Sequence, residues 1–150
     1  MSENVFAVVY LSRAVVQFGE SEIQALAHQS AEKNEKLAVS GYLCFKRGLF
    51  VQYLEGKKST ILKLLHEIRD DRRHHIISEV VIGDLSSRHF MGWDMRYLDQ
   101  EELNHVDLEE VLDWIIEELR QERVEEKKAL KPISEMVETI HKLRKQHIIA

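Results

Sequence analysis

The chain has 150 residues, a formal net charge of −5, 44% hydrophobic and 31% charged residues, and one cysteine. That suits a single domain with a core large enough to fold alone, and the composition is globular, which excludes a disordered chain. No apolar run approaches the length of a bilayer span, Cys44 by itself excludes an internal disulfide or a cysteine metal cluster and is read as a packing residue in an apolar strand, and the acidic balance argues against nucleic acid as a general partner. The start, Ser2-Glu3-Asn4, lacks the basic region of a secretory signal, so a cytoplasmic location is expected.

Residues 5–11 are apolar throughout, without alternation. A strand of that kind is buried on both faces, so each face of its sheet needs a cover. Ser21-Glu22-Ile23-Gln24 fits a capping box and opens a helix in which Ile23, Leu26, Ala27 and Ala31 recur at helical spacing; Asn34 ends it. Residues 39–46 and 49–55 read as strands joined by the hairpin signal Lys46-Arg47-Gly48. Ser59 caps a second helix with the stripe Ile61, Leu64, Leu65 and Ile68. Residues 76–82 and 93–97 are further strands, the last carrying Trp93 and Met95, whose alternation puts both on one face.

Two more helices are expected at about 107–127 and 132–148. Leu108, Val111, Leu112, Ile115, Ile116 and Leu119 mark the apolar stripe of one. Ile133, Met136, Val137, Ile140 and Leu143 mark the other, with Pro132 in its first turn. The charged run within residues 120–131 reads as a solvated helix end. The order β-α-β-β-α-β-β predicts an α+β, ferredoxin-like sandwich with its first two helices on one face. The C-terminal two-helix extension then packs on the opposite face. Residues 1–100 form the core unit and 101–150 the extension. The split connection sets the first strand beside the third, bringing Tyr10 near Gln52.

Gln52 is the most informative residue. It lies in Gly48-Leu49-Phe50-Val51-Gln52-Tyr53-Leu54-Glu55-Gly56, among strand formers and with nothing polar beside it. A buried amide without partners costs about 1–3 kcal/mol, so the fold or a ligand has to supply them. Tyr10, Asn34 and Gln52 aimed at one cavity suit a flat heterocycle with imide edges.

The chain resembles the BLUF family, flavin-based blue-light sensors. The matching pieces are Tyr10-Leu11-Ser12, Asn34, Ser40-Gly41-Tyr42-Leu43, the stretch around Gln52, Asp71-Arg72-Arg73-His74, and Phe90-Met91-Gly92-Trp93-Asp94-Met95. They run in order over residues 5–97 and leave residues 100–150 uncovered. The resemblance implies FAD, preferred over FMN on the family's account alone, lying between the first two helices. Gln52 would bond the N5/O4 edge. Tyr10 would bond Gln52 and donate an electron and a proton to the excited ring. Asn34 would hold the O2/N3 side, and Leu26 and Ile68 would sandwich the ring. Arg73 and His74 would border the pyrimidine edge or the phosphate tail, and Trp93 and Met95 would form the output side of the switch.

Each residue also has a plainer reading. Tyr10 suits a strand tyrosine with its hydroxyl at the rim, Asn34 a left-handed helix C-cap, Trp93 and Met95 the core, and Glu55-Gly56 a strand end. His74 and His75 are adjacent on a strand and point to opposite faces, so no metal site is expected.

The function expected is a blue-light photoreceptor without catalytic output, not an enzyme, resembling short stand-alone members of that family. Its signal leaves through an unidentified downstream protein or a homo-oligomer, a dimer or larger, with neither nucleic acid nor membrane as partner. The alternatives are an acylphosphatase-type hydrolase, for which Arg13 is present but no Gly-rich cradle, and a flavin-free dimerisation module.

Overall fold

The computed structural model describes residues 4–150; Ser2 and Glu3, on which the signal-peptide reading partly rests, lie outside them. Strands β1 (Val5–Ala14), β2 (Ser40–Lys46), β3 (Leu49–Gly56), β4 (His74–Leu85) and β5 (Arg96–Tyr97) form one sheet in the order β4-β1-β3-β2-β5. β1 runs antiparallel to both β3 and β4, β2 is antiparallel to β3, and β5 is parallel to β2. Helices α1 (Glu20–Leu37) and α2 (Lys58–Arg69) complete the expected α+β ferredoxin-like plan. Three further helices follow: α3 (Gln100–His105), α4 (Glu109–Leu119) and α5 (Glu126–Lys145).

β1 divides the molecule into two cores. Phe6, Val8 and Tyr10 point to the side covered by Ile23 and Ala27 of α1 and Ile61, Leu64 and Leu65 of α2. Ala7, Val9 and Leu11 point to the other side, where the stripes of α4 and α5 cover them. All eight residues from Val5 to Ser12 are buried, as an unbroken apolar run requires. The C-terminal stripes read from the sequence are buried from Leu108 to Leu119 and from Ile133 to Ile140.

The β2–β3 hairpin closes on Arg47 and Gly48, with φ of 53° and 78°, between the paired residues Lys46 and Leu49. Two consecutive positive φ values match the twist of the flanking strands, and glycine meets that demand without strain. Gly41 serves another need. A Cβ there would lie 1.9 Å from the carbonyl oxygen of Tyr53, so no side chain fits.

Several boundaries differ from the sequence reading. α1 begins at Glu20 because Glu22 reaches back to the amide of Gly19 (3.2 Å), so Gly19, not Ser21, is the cap. It continues to Leu37 and ends on Ala38 in the left-handed region (φ 55°). Asn34 therefore lies inside the last turn and is not the C-cap. α2 begins at Lys58 after Lys57, with Ser59 already helical. α3 was not foreseen; Asp99 caps it by accepting from the amide of Glu102 (2.8 Å). α4 stops at Leu119. α5 starts six residues before Pro132, its added first turns held by fully buried Ala129. Pro132 thus sits inside the helix, where its missing N–H leaves the carbonyl of Lys128 without its usual partner.

β5 has only two ladder pairs, Tyr42–Arg96 and Leu43–Tyr97. Trp93 and Met95 precede it in the irregular connector of residues 86–95 and do not share a face. Trp93 belongs to the core of α4 and α5, and Met95 to the core of α1 and α2.

Candidate functional site

A cavity of about 270 Å³ opens between α1 and α2, above the middle of β1 and β3. Leu26 from α1 and Ile68 from α2 line it, with Phe50 and Leu54 of β3. Tyr10, Asn34 and Gln52 reach the same cavity from three different elements. The ferredoxin-like connection makes this possible, because it sets Tyr10 directly opposite Gln52 in the β1–β3 register.

Both ends of the Gln52 amide are engaged. Its oxygen accepts from the Tyr10 hydroxyl, and its nitrogen donates to the Met95 sulfur at 3.3 Å. Gln52 is 8% exposed and Tyr10 2%. Burial pushes the Tyr10 phenol far above its ordinary range, and the carboxylates of Asp71 and Glu79 push it further, so the phenol keeps its proton. Asn34 is 3% exposed and donates through Nδ2 to the carbonyl of Asp94 (2.8 Å). A side-chain amide carries two donors and an oxygen with two acceptor sites, so both amides retain hydrogen-bonding capacity for a ligand.

Charged groups gather at the mouth. Lys33 of α1 pairs with Glu67 of α2 across it. Arg73 makes a paired contact with Asp71 (2.6 to 3.1 Å), which holds the Asp71 carboxyl down at about 2. His74 lies deeper. Its Nε2 faces the carbonyl of Ile68 (3.2 Å), which can only accept, so Nε2 donates and Nδ1 accepts from the Ser12 hydroxyl (2.9 Å). Burial lowers the His74 pKa, consistent with that neutral ring. Arg73 and His74 both line the cavity, but both already have protein partners. Arg13 is exposed and does not line the cavity.

The dimensions fit a flat ring better than a whole dinucleotide. The volume lies just below the usual range of ligand pockets, Leu26, Phe50, Leu54 and Ile68 supply apolar walls below the charged mouth, and two buried amides and a phenol converge on the floor. An isoalloxazine ring suits that donor set.

One buried polar residue has no counterpart in the sequence reading. Glu55, at the strand end, is fully buried on the α4–α5 side. It accepts from Ser40 Oγ (2.7 Å), the Tyr53 hydroxyl (2.8 Å) and the amides of His89 (3.0 Å) and Phe90 (2.8 Å). The carboxylate thereby fixes the connector that leads to Asp94 and Met95. The signal in the sequence was a carboxylate closing an apolar strand that held no basic residue to pair with it.

Comparison with known proteins agrees with this geometry. The model of the BLUF family, "Sensors of blue-light using FAD", matches residues 5–96. The photoactivated adenylate cyclase subunit beta of Euglena longa is 29% identical over 97 residues, 64% of this chain and 11% of that protein. The dark-state structure of the BLUF protein BlrB superposes with a TM-score of 0.71 at 24% identity, over 94% of this chain and 98% of that one, a likeness of fold. A bacterial light-regulated adenylyl cyclase gives a TM-score of 0.63 at 26% identity, over 75% of this chain and 34% of that one. The chain thus spans about a tenth of the curated cyclase subunit and about a third of the bacterial cyclase chain.

Proposed function

Because the chain belongs to the BLUF family, the sensors of blue light using FAD, we propose that it is a photoreceptor whose signal leaves by contact with a partner protein or a second copy of itself. The observation that carries this reading is the buried series Tyr10–Gln52–Met95 on the cavity floor. The bound flavin supplies blue-light absorption and, once excited, a strong oxidant. Leu26 and Ile68 would hold the ring from either side, Asn34 its O2/N3 edge and Gln52 its N5/O4 edge, and Arg73 and His74 would border its pyrimidine edge or the phosphate tail.

Tyr10 would be the electron and proton donor to the excited ring, its protonated phenol passing the proton along its bond to Gln52. The electron and the proton would both return to Tyr10 as the ring relaxes, so Tyr10 and the flavin end chemically unaltered and only the hydrogen-bond partners differ. Gln52 responds by exchanging its partners, through rotation of the amide or through proton movement. A thioether sulfur only accepts. If the amide turns, the Gln52 oxygen replaces its nitrogen beside Met95, and the bond to Sδ is lost. Met95 then repacks, and the connector from Phe90 to Met95 carries the change to the other side of the sheet. Trp93 lies on that side and completes the route.

Residues 1–100 are the sensor unit in this reading, and 101–150 the output helices. The output is contact, without catalysis by the chain's own residues, in a homodimer or larger assembly in the cytoplasm. No helix among the described residues is long and apolar enough to cross a membrane. The test is an absorbance spectrum of the FAD-bound protein before and after blue light. A small, reversible red shift without bleaching is expected; a protein that stays colourless after refolding with FAD overturns the proposal.

A further inference from the structure

The connector of residues 86–95 is held at both ends by different machinery. At the cavity end, Asn34 takes the carbonyl of Asp94 and Gln52 takes the sulfur of Met95. At the far end, Glu55 takes the amides of His89 and Phe90. The carbonyls of that same turn face α5. His141 Nδ1 donates to the carbonyl of His89 (2.9 Å), and Arg144 donates to the same oxygen (3.3 Å) and to the carbonyl of Met91. The Arg144 guanidinium also lies 5.1 Å from the ring centre of Trp93, which stacks on Phe90 at 5.4 Å and 11°.

We propose that Arg144, assisted by His141, is the positioning residue through which α5 reads the state of the cavity. The proposal rests on the photosensor reading above. Three features support it. First, α5 does not need these bonds to dock. Ile133, Met136 and Ile140 are fully buried and seat the helix on the sheet. Second, one guanidinium spans two carbonyls and an aromatic face, a set of contacts that a lysine ammonium reproduces only in part. Third, only four residues separate His89 from Asp94, so a shift at Met95 reaches the Met91 carbonyl through Asp94, Trp93 and Gly92 rather than through a long loop. Gly92 has φ of 92°, and a Cβ there would lie 3.4 Å from Arg144 Nη2, so the turn passes close beneath the guanidinium.

The test uses the full chain with FAD. Hydrogen exchange of α5 is compared in darkness and under blue light for the wild type, Arg144→Met, Arg144→Lys and His141→Phe. The indole N–H resonance of Trp93 is followed in the same states, in a Trp114→Phe background that removes the second tryptophan. Arg144→Met is expected to keep the absorbance shift. The light-minus-dark difference in α5 and at the Trp93 indole should fall about threefold or more, the scale of a mutation within a coupling network. Arg144→Lys should restore part of it. A merely structural loss would instead change exchange equally in dark and light. His141→Phe, which keeps a ring but loses the donor, should show a smaller fall and gives a second reading where Arg144→Met folds poorly. A normal absorbance shift with a full α5 response in Arg144→Met and His141→Phe overturns the coupling role, as does a wild type that shifts without any α5 response. Absence of the absorbance shift in the wild type overturns the photosensor reading itself, and the coupling role with it.

Discussion

Tyr10 stands opposite Gln52 in the antiparallel register of β1 and β3, and its phenol donates to the Gln52 amide oxygen. The pair is made by backbone registration. A single-residue slip of either strand would send one side chain to the α4–α5 core. The geometry of the pair is therefore as secure as the sheet itself.

Substitutions at this pair separate binding from response. Gln52→Leu should retain the flavin, since Leu26 and Ile68 supply apolar walls, but lose the red shift. Tyr10→Phe should also stay yellow and lose the normal photocycle. Gln52→Leu leaves the Tyr10 hydroxyl buried without a partner, a loss of about 1–3 kcal/mol. Absorbance under blue light and urea unfolding check both statements; a normal shift in Gln52→Leu contradicts the amide mechanism.

Glu55→Ala should be among the most damaging single changes outside the cavity. It strips the partners from two backbone amides, Ser40 and Tyr53 at once. A loss of about 3 kcal/mol or more is expected. It should be read as a lower urea midpoint with an unchanged slope.

The Asp71–Arg73 pair predicts an acid-side effect. The folded Asp71 carboxyl lies at about 2, below the unfolded value of about 3.9. A depressed folded pKa means that the contribution is fully present above about pH 4 and is lost as pH falls through about 2. Thermal unfolding across that window should be less steeply pH-dependent in Asp71→Asn than in the wild type. The side chains are 28% and 49% exposed, so solvent screening keeps the effect modest.

Truncation after Tyr97 should give a poorly soluble, self-associating protein. It uncovers Val9, Leu11, Val51 and Tyr53, all buried beneath α4 and α5. The lost helices contribute a series of Leu, Ile and Val side chains worth about 1.5–3 kcal/mol each when fully buried. Size-exclusion chromatography with light scattering checks this; a soluble monomer contradicts it.

The sequence was most legible where a residue's pattern has one physical solution. The unbroken apolar run of β1 demanded covers on both faces, and those covers are α1 with α2 and α4 with α5. Gln52 demanded partners, and they are Tyr10 and Met95. Element ends were harder. Asn34 looked like a terminus, yet Glu35 and Lys36 continue the helix readily and Ala38 accepts the left-handed turn. Trp93 and Met95 alternate like strand residues, but the Trp93 amide closes a turn onto the Phe90 carbonyl, and only its carbonyl reaches β2, at Gly41. Alternation in the sequence cannot reveal which stretch finds a ladder partner. Besides the nearby Tyr53, the donors to Glu55 are Ser40 and a connector 34 and 35 residues away, which no local pattern reveals.

The two-rung attachment of β5 gives the sheet an uneven seam strength. β1 is stitched along ten residues to β4, whereas β5 has two ladder pairs with β2, flanked by the bonds from the Gly41 amide to the Trp93 carbonyl and from the Leu98 amide to the Leu43 carbonyl. Met95 adjoins that step. Local opening there exposes few backbone groups and disturbs no neighbouring strand, so it belongs to the low-energy end of the molecule's fluctuations. The amides of residues 96 and 97 should exchange well before those of β1 and β3. The strand most easily detached from the sheet is thus the one next to the side chain that touches Gln52.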